Sequence, residues 1–357
     1  MRSIADTLAR MQSMAAAAKH HPAFAADPLD QLADFGPNPG ALTARFFIPP
    51  SVKARSALVV VLHGCTQTAA GYDHGSGWSA VARREGFALL FPEQQRANNA
   101  NLCFNWFAPE DSKRGSGEAL SIRNMVAAMI ARHDLDPARV FITGLSAGGA
   151  MASVMLATYP EVFAGGAIIA GLPFGSATNV SQALDRMRGH GGPDDAGLSA
   201  LVHRASPHDG PWPTISIWHG TADATVNSTN ADAILAQWRV VHGVGGEPSV
   251  SDLVEGYPHR VWHDRDGRPV IEDYRITGLG HGAPLDTRGA DGCGSSGAYM
   301  LEAQISSTRW IAHAWGLGEA PVDHRPISQA ESVPTSPATT GIGGMIEDAL
   351  RTAGLMR

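Results

Sequence analysis

The pentapeptide Gly144-Leu145-Ser146-Ala147-Gly148 constrains this chain more than any other feature. It follows the apolar run Val140-Phe141-Ile142 and precedes the small-residue stretch Gly149-Ala150-Met151-Ala152. A strand that turns at once into a helix leaves no room for side chains around the turning residue, so glycines flank it. Such a turn presents Ser146 at a strand's end as a candidate nucleophile. The pattern alone is not decisive, because small-residue turns are common.

The surrounding sequence supplies the sheet that this turn needs. Apolar runs over 57–62 and 87–91, the second stopped by Pro92, alternate with helical patterns over 78–85 and 117–133. A strand over 140–143 enters the turn and a helix over 147–158 leaves it. Strands over 166–169 and 214–218, a helix over 227–241, later strands over 250–254, 260–263 and 270–276, and a closing helix over 305–315 complete the series. Apolar strands joined by crossover helices predict an α/β fold with a mostly parallel, doubly wound central sheet and helices on both faces. The stretch 175–213, rich in glycine, proline and histidine, is too long for a plain connection and reads as an insertion or cap over the site. The expected organisation is an N-terminal helical extension over 1–40, a catalytic domain over 41–317, and a flexible linker with a short C-terminal helix over 318–357.

A serine hydroxyl needs a base, and the base needs a carboxylate to fix its tautomer. On a sheet of this kind the partners follow in chain order serine, acid, histidine, each in a loop beyond a strand's carboxyl end. Asp223 stands in His219-Gly220-Thr221-Ala222-Asp223, just past the strand over 214–218, and His281 stands between glycines in Gly278-Leu279-Gly280-His281-Gly282. These are the expected acid and base. His219 is a competing base, although a strand-end histidine beside a glycine more often packs or bonds its loop. Asp266 and Asp273 are the fallback acids, both expected to face solvent. His259 and His263 have a spacing that suits zinc only on a helix; the neighbouring Pro258, Val261 and Trp262 indicate a strand, so no metal is expected. The developing oxyanion needs two donors, which the sequence offers in the Ala147 amide and in the loop His63-Gly64-Cys65-Thr66, chiefly the Cys65 amide.

Composition excludes several other roles. The 357 residues are 44% hydrophobic with a formal net charge of −7, and no basic block suited to nucleic acid or anionic lipid interrupts them. No run of eighteen apolar residues is present, which predicts a soluble protein with no membrane span. Residues 1–25 end in a small-x-small triplet, but Asp6, Arg10 and Lys19 break any apolar core, so an amphipathic helix is expected there rather than a secretory signal. Three cysteines, Cys65, Cys103 and Cys293, are too few for a disulfide framework, and at least one has no partner within the chain.

With Leu62-His63-Gly64-Cys65, Asn105-Trp106-Phe107, the Ser146 turn and the Asp223 loop taken together, the chain resembles esterases of the polyhydroxybutyrate depolymerase family, related to feruloyl and acetylxylan esterases. The resemblance covers about residues 34 to 315. It implies an α/β-hydrolase fold, a serine esterase without cofactor, and the triad Ser146, Asp223 and His281, with Cys65 and Ala147 at the oxyanion. It also implies a disulfide between Cys65 and Cys103, and an extracellular or periplasmic location that the N-terminal segment does not support. The substrates implied are small or oligomeric 3-hydroxyalkanoate esters, or feruloyl and acetyl esters of polysaccharide. Trp106, placed by the resemblance near the oxyanion loop, and Trp218, on the strand feeding Asp223, are the expected substrate-binding aromatics. Two other readings share part of the pattern: a peptidase of the prolyl-oligopeptidase type, which usually brings a large gating domain, and a non-catalytic granule- or carbohydrate-binding homologue.

Overall fold

Strand β3 (Leu58–Leu62) sets the layering of the molecule. Successive side chains of a strand point to opposite faces. Leu58, Val60 and Leu62 therefore enter one core, with Ile122 and Met125 of helix α3 (Gly117–His133) and Met151 of α4 (Ala147–Thr158). Val59 and Val61 enter the other, with Trp78 and Val81 of α2 (Trp78–Glu85) and Ile311 of α8 (Ser307–Ala314). A strand buried on both faces has no polar position, which is why it reads as a continuous apolar run.

The computed structural model describes residues 27–321 other than Ala290. Ten strands form one sheet: β1 (Asp30–Gln31), β2 (Thr43–Phe47), β3, β4 (Ala88–Glu93), β5 (Val140–Leu145), β6 (Gly165–Ile169), β7 (Thr214–Gly220), β8 (Val250–Val254), β9 (Tyr257–His263) and β10 (Pro269–Ile276). Their order is β1-β2-β4-β3-β5-β6-β7-β10-β9-β8. The six central strands from β4 to β10 run parallel, and antiparallel strands extend both edges. A parallel pair, β11 (Ala283–Leu285) and β12 (Met300–Glu302), lies apart from this sheet.

Helices α1 (Ala69–Ser76), α5 (Val180–Met187), α6 (Asp195–Ala205) and α7 (Thr229–His242) complete the described helices used below. The expected α/β architecture is present, with three local corrections. Residues 27–40 form strand β1 and loops rather than a helical extension; three prolines, Pro28, Pro37 and Pro39, oppose a helix, and Leu29 and Leu32 are buried instead. Strand β4 runs through Pro92, which pairs with Ala44 of β2, because its parallel ladder with β3 has already ended at Leu90 and no bond is lost there. The stretch 175–213 folds as α5 and α6 against α7, where Gln237 Nε2 donates to Phe174 O at 3.0 Å and to Leu198 O at 2.9 Å. None of its residues lines the cleft at Ser146. The helices expected within residues 1–25 and near 346–355, and the linker after Pro321, lie outside the described residues.

Candidate active site

Ser146 sits between β5 and α4 with φ 57° and ψ −118°, a conformation that L-residues rarely adopt. The turn is closed so tightly that a Cβ on Gly144 would lie 2.3 Å from Gly148 O, and one on Gly148 would lie 2.4 Å from Leu62 O. The Ser146 amide donates to Ile169 O at 2.9 Å and its carbonyl accepts from Ala150 N at 2.9 Å. The strained residue is thus held from both sides, one bond reaching the neighbouring strand and the other the first turn of α4.

The loops after β7 and β10 bring the other two groups to it. His281 Nε2 lies 2.9 Å from Ser146 Oγ, and His281 Nδ1 lies 2.7 Å from Asp223 Oδ2. The sequence-expected serine, histidine and aspartate therefore form one continuous chain of hydrogen bonds. Gly220 permits the approach of the two loops, since a Cβ there would lie 2.3 Å from Leu279 O.

Asp223 is buried and nevertheless built to stay ionised. Its Oδ1 accepts from the Thr225 and Val226 amides at 2.8 and 2.9 Å. Burial alone would push the carboxyl up, but hydrogen bonds and charge from His219 and His281 pull it well below the ordinary carboxylate range. His219 is thus not the base. It is buried, with Nε2 2.9 Å from Val226 O and 3.5 Å from Asp223 Oδ2, where it braces the acid loop.

The two expected oxyanion amides belong to Ala147 and Cys65. Ala147 is the first residue of α4, so its N–H has no carbonyl within its own helix to meet. Cys65 lines the cleft and is bonded through sulfur to Cys103. The cleft at Ser146 and His281 takes its walls from Gly64, Cys65, Gln67, Leu145, Thr225 and Tyr299. Gln67, Thr225 and Tyr299 escaped the sequence reading. Tyr299 packs edge-on against the His281 ring with centroids 5.9 Å apart, but its segment follows the last recognisable motif by many residues and carries no pattern of its own.

The expected aromatic walls are not in the cleft. Trp218 has no exposed surface; it stacks on Tyr274 at 3.8 Å and donates to Ser216 Oγ at 2.9 Å. It lies inside the core because β7 is covered on both faces. Trp106 is only 5% exposed, stands edge-on to Phe107 and lies outside the cleft lining. The fallback acid Asp273 does not face solvent as expected. It is fully buried beneath Arg260 and Arg275, whose Nε atoms lie 3.0 and 2.8 Å from it, so its charge is already matched. Asp266 is exposed. His259, on a strand as expected, pairs with Asp252 at 2.8 Å and stacks on Tyr274.

The chain is similar to known esterases. A family model described as esterase PHB depolymerase matches residues 42–247. The chain is 47% identical to the poly(3-hydroxyalkanoate) depolymerase C of Paucimonas lemoignei over 81% of this chain and 70% of that protein. It is 30% identical to the feruloyl esterase B of Talaromyces stipitatus over 74% of this chain and 75% of that protein. Among solved structures, the acetyl xylan esterase from Aspergillus awamori superposes with a TM-score of 0.69 at 24% identity, covering 81% of this chain and 99% of that one, a likeness of fold. The chain belongs to the esterase PHB depolymerase family of carboxylic ester hydrolases.

Proposed function

We propose that this esterase works through an acyl-enzyme on Ser146, with His281 as general base and Asp223 as the acid that orients it. The single observation that carries the reading is the unbroken chain from Ser146 Oγ through His281 to Asp223, at 2.9 and 2.7 Å. As Ser146 Oγ attacks the ester carbonyl, His281 Nε2 takes its proton, and the Cys65 and Ala147 amides receive the oxyanion. His281 then protonates the leaving alcohol and later activates the water that frees the acid.

The substrate class we infer is the 3-hydroxyalkanoate ester or its oligomers. The observation that favours it is the 47% identity to a poly(3-hydroxyalkanoate) depolymerase. Acetyl esters of polysaccharide are the second reading, supported by relatives such as the 31% identical acetylxylan esterase of Coprinopsis cinerea. Ser146→Ala is expected to abolish hydrolysis of p-nitrophenyl acetate and labelling by a fluorophosphonate while leaving the melting temperature unchanged. Retained turnover in that variant would remove Ser146 from the mechanism. A panel of hydroxybutyrate oligomers, acetylated xylan and methyl ferulate, compared by kcat/KM, separates the substrate classes.

A further inference from the structure

Tyr299 reaches the cleft from beyond the last catalytic loop, and its main chain fixes where it stands. Its φ of 63° lies in the left-handed region, which a residue with a side chain occupies only when its surroundings hold it there. Its carbonyl accepts the Ala283 amide at 2.8 Å, and a Cβ on Gly282 would lie 2.7 Å from that oxygen. The next residue, Met300, opens β12 opposite Ala283 of β11. Tyr299 is therefore locked, through its main chain, to the residues that follow His281. Its ring stands edge-on to the imidazole, with an interplanar angle of 83°.

The hydroxyl at the end of that ring is the part left without a firm partner. It faces Thr66, in the loop after β3, through a contact that does not reach hydrogen-bond geometry: Thr66 Oγ1 is buried and has no hydrogen-bond partner among the described residues. No other group among the described residues bonds Tyr299 Oη. Burial pushes the phenol above its ordinary value of 10, so it stays protonated and can donate as well as accept. Both hydroxyls thus keep hydrogen-bonding capacity beside the cleft. Among the lining residues Leu145 alone has an aliphatic side chain, whereas Gln67, Thr225 and Tyr299 are polar. Such a wall favours a substrate that carries oxygen near the scissile ester over one that carries only methylenes.

We propose that Tyr299 is a specificity-determining residue: its hydroxyl hydrogen-bonds the oxygen that a 3-hydroxyacyl group carries two carbons from the scissile carbonyl. The acyl half of the ester is the one concerned, because its carbonyl oxygen is directed at the Cys65 amide and Thr66 is the next residue of that loop. An alkanoyl group of equal length leaves both hydroxyls unmatched, whereas a hydroxyalkanoyl group offers them an acceptor and a donor. The proposal rests on the acyl-enzyme reading of Ser146, which Ser146→Ala tests through loss of all turnover.

The test crosses one hydroxyl of the protein with one hydroxyl of the substrate. kcat/KM is measured in a pH-stat for ethyl butyrate and ethyl 3-hydroxybutyrate, with the parent protein, Tyr299→Phe and Thr66→Val. The readout is the ratio of the two values, hydroxylated over plain, which a general fault in folding or in the triad leaves unchanged. In Tyr299→Phe this ratio is expected to fall about 3- to 10-fold, the worth of one neutral hydrogen bond. Thr66→Val is expected to lower it in the same direction but less, since that hydroxyl acts through Tyr299. An unchanged ratio in a folded Tyr299→Phe overturns the proposal, whether both rates hold or both fall together. If Tyr299→Phe does not fold, an unchanged ratio in Thr66→Val overturns it and a lowered one supports it.

Discussion

Buried Asp223 accepts hydrogen bonds from the Thr225 and Val226 amides and from His281 Nδ1, with His219 Nε2 3.5 Å away, and each of these favours the charged carboxylate. Asp223→Asn keeps the shape but offers His281 an amide in place of a carboxylate, so the imidazole loses the partner that fixes its tautomer. The expected result is a fall in kcat of about 10⁴-fold with little change in melting temperature, read with p-nitrophenyl acetate and by differential scanning fluorimetry. Ser146, Asp223 and His281 were legible in the sequence because each sits in a glycine-bearing loop just past an apolar strand, and because their order along the chain is fixed by the fold. Asp273 was not. Nothing near it announces burial, and what makes burial tolerable is a pair of arginines, one of them on the neighbouring strand β9. Trp218 misled for a related reason: proximity to a catalytic loop along the chain says nothing about which face of the sheet a side chain takes. Tyr299 and Gln67 depend on how loops fold back, which no local pattern records.

Among the elements, the helices α2, α3 and α4 were readable to the residue and the core strands to within one or two residues at their ends, since apolar runs and helical periodicity mark their kind. The edges were harder. β1 and β2 are short and only partly buried, so their alternation is weak, and what makes them strands is pairing, of β2 with β4 and of β1 with β2. The Cys65–Cys103 disulfide ties the loop after β3 to the segment after β4 across 38 positions of chain. A crosslink of that span restricts the unfolded chain and is worth about 3–4 kcal/mol. The double variant Cys65→Ser/Cys103→Ser is expected to lose that much in urea unfolding. Its kcat should fall as well, because the oxyanion loop would keep its hydrogen bonds but lose its covalent tether.

At the scale of the whole molecule, two buried groups set opposing pH dependences of stability. Glu118 is pushed up to about 8 by burial and by the nearby Asp111 charge, while Asn105 and Gln94 donate to it. The folded state then keeps a proton that the unfolded chain releases near 4.5, so this contribution is full below that pH and is lost as pH rises to about 8. His242, with a buried Nε2 that has no partner among the described residues, is lowered to about 4 by burial, against the pull of Pro213 O and Asp264. Its contribution is present above the unfolded value of 6.5 and is lost as pH falls to about 4. The two slopes oppose each other in the acid range, and Glu118 acts alone above it. Urea midpoints measured from pH 4.5 to 8 should therefore fall on the alkaline side for the parent protein, by up to about 1.4 kcal/mol per unit, and should lose that fall in Glu118→Gln. His242→Phe should steepen the decline with rising pH between 4.5 and 6.5.

The layout of the sheet has a consequence in time as well as in space. His281 reaches Ser146 across 135 positions of chain and Asp223 across 58, and their loops follow β10, β5 and β7. Between β5 and β7 lies β6, and all four strands pair in parallel, so none of these contacts forms before long stretches of chain have closed. Helices can appear early in refolding, but the triad is complete only when the central strands have docked in order. Catalysis is thus the last property such a chain regains, and the first that a partly opened sheet gives up.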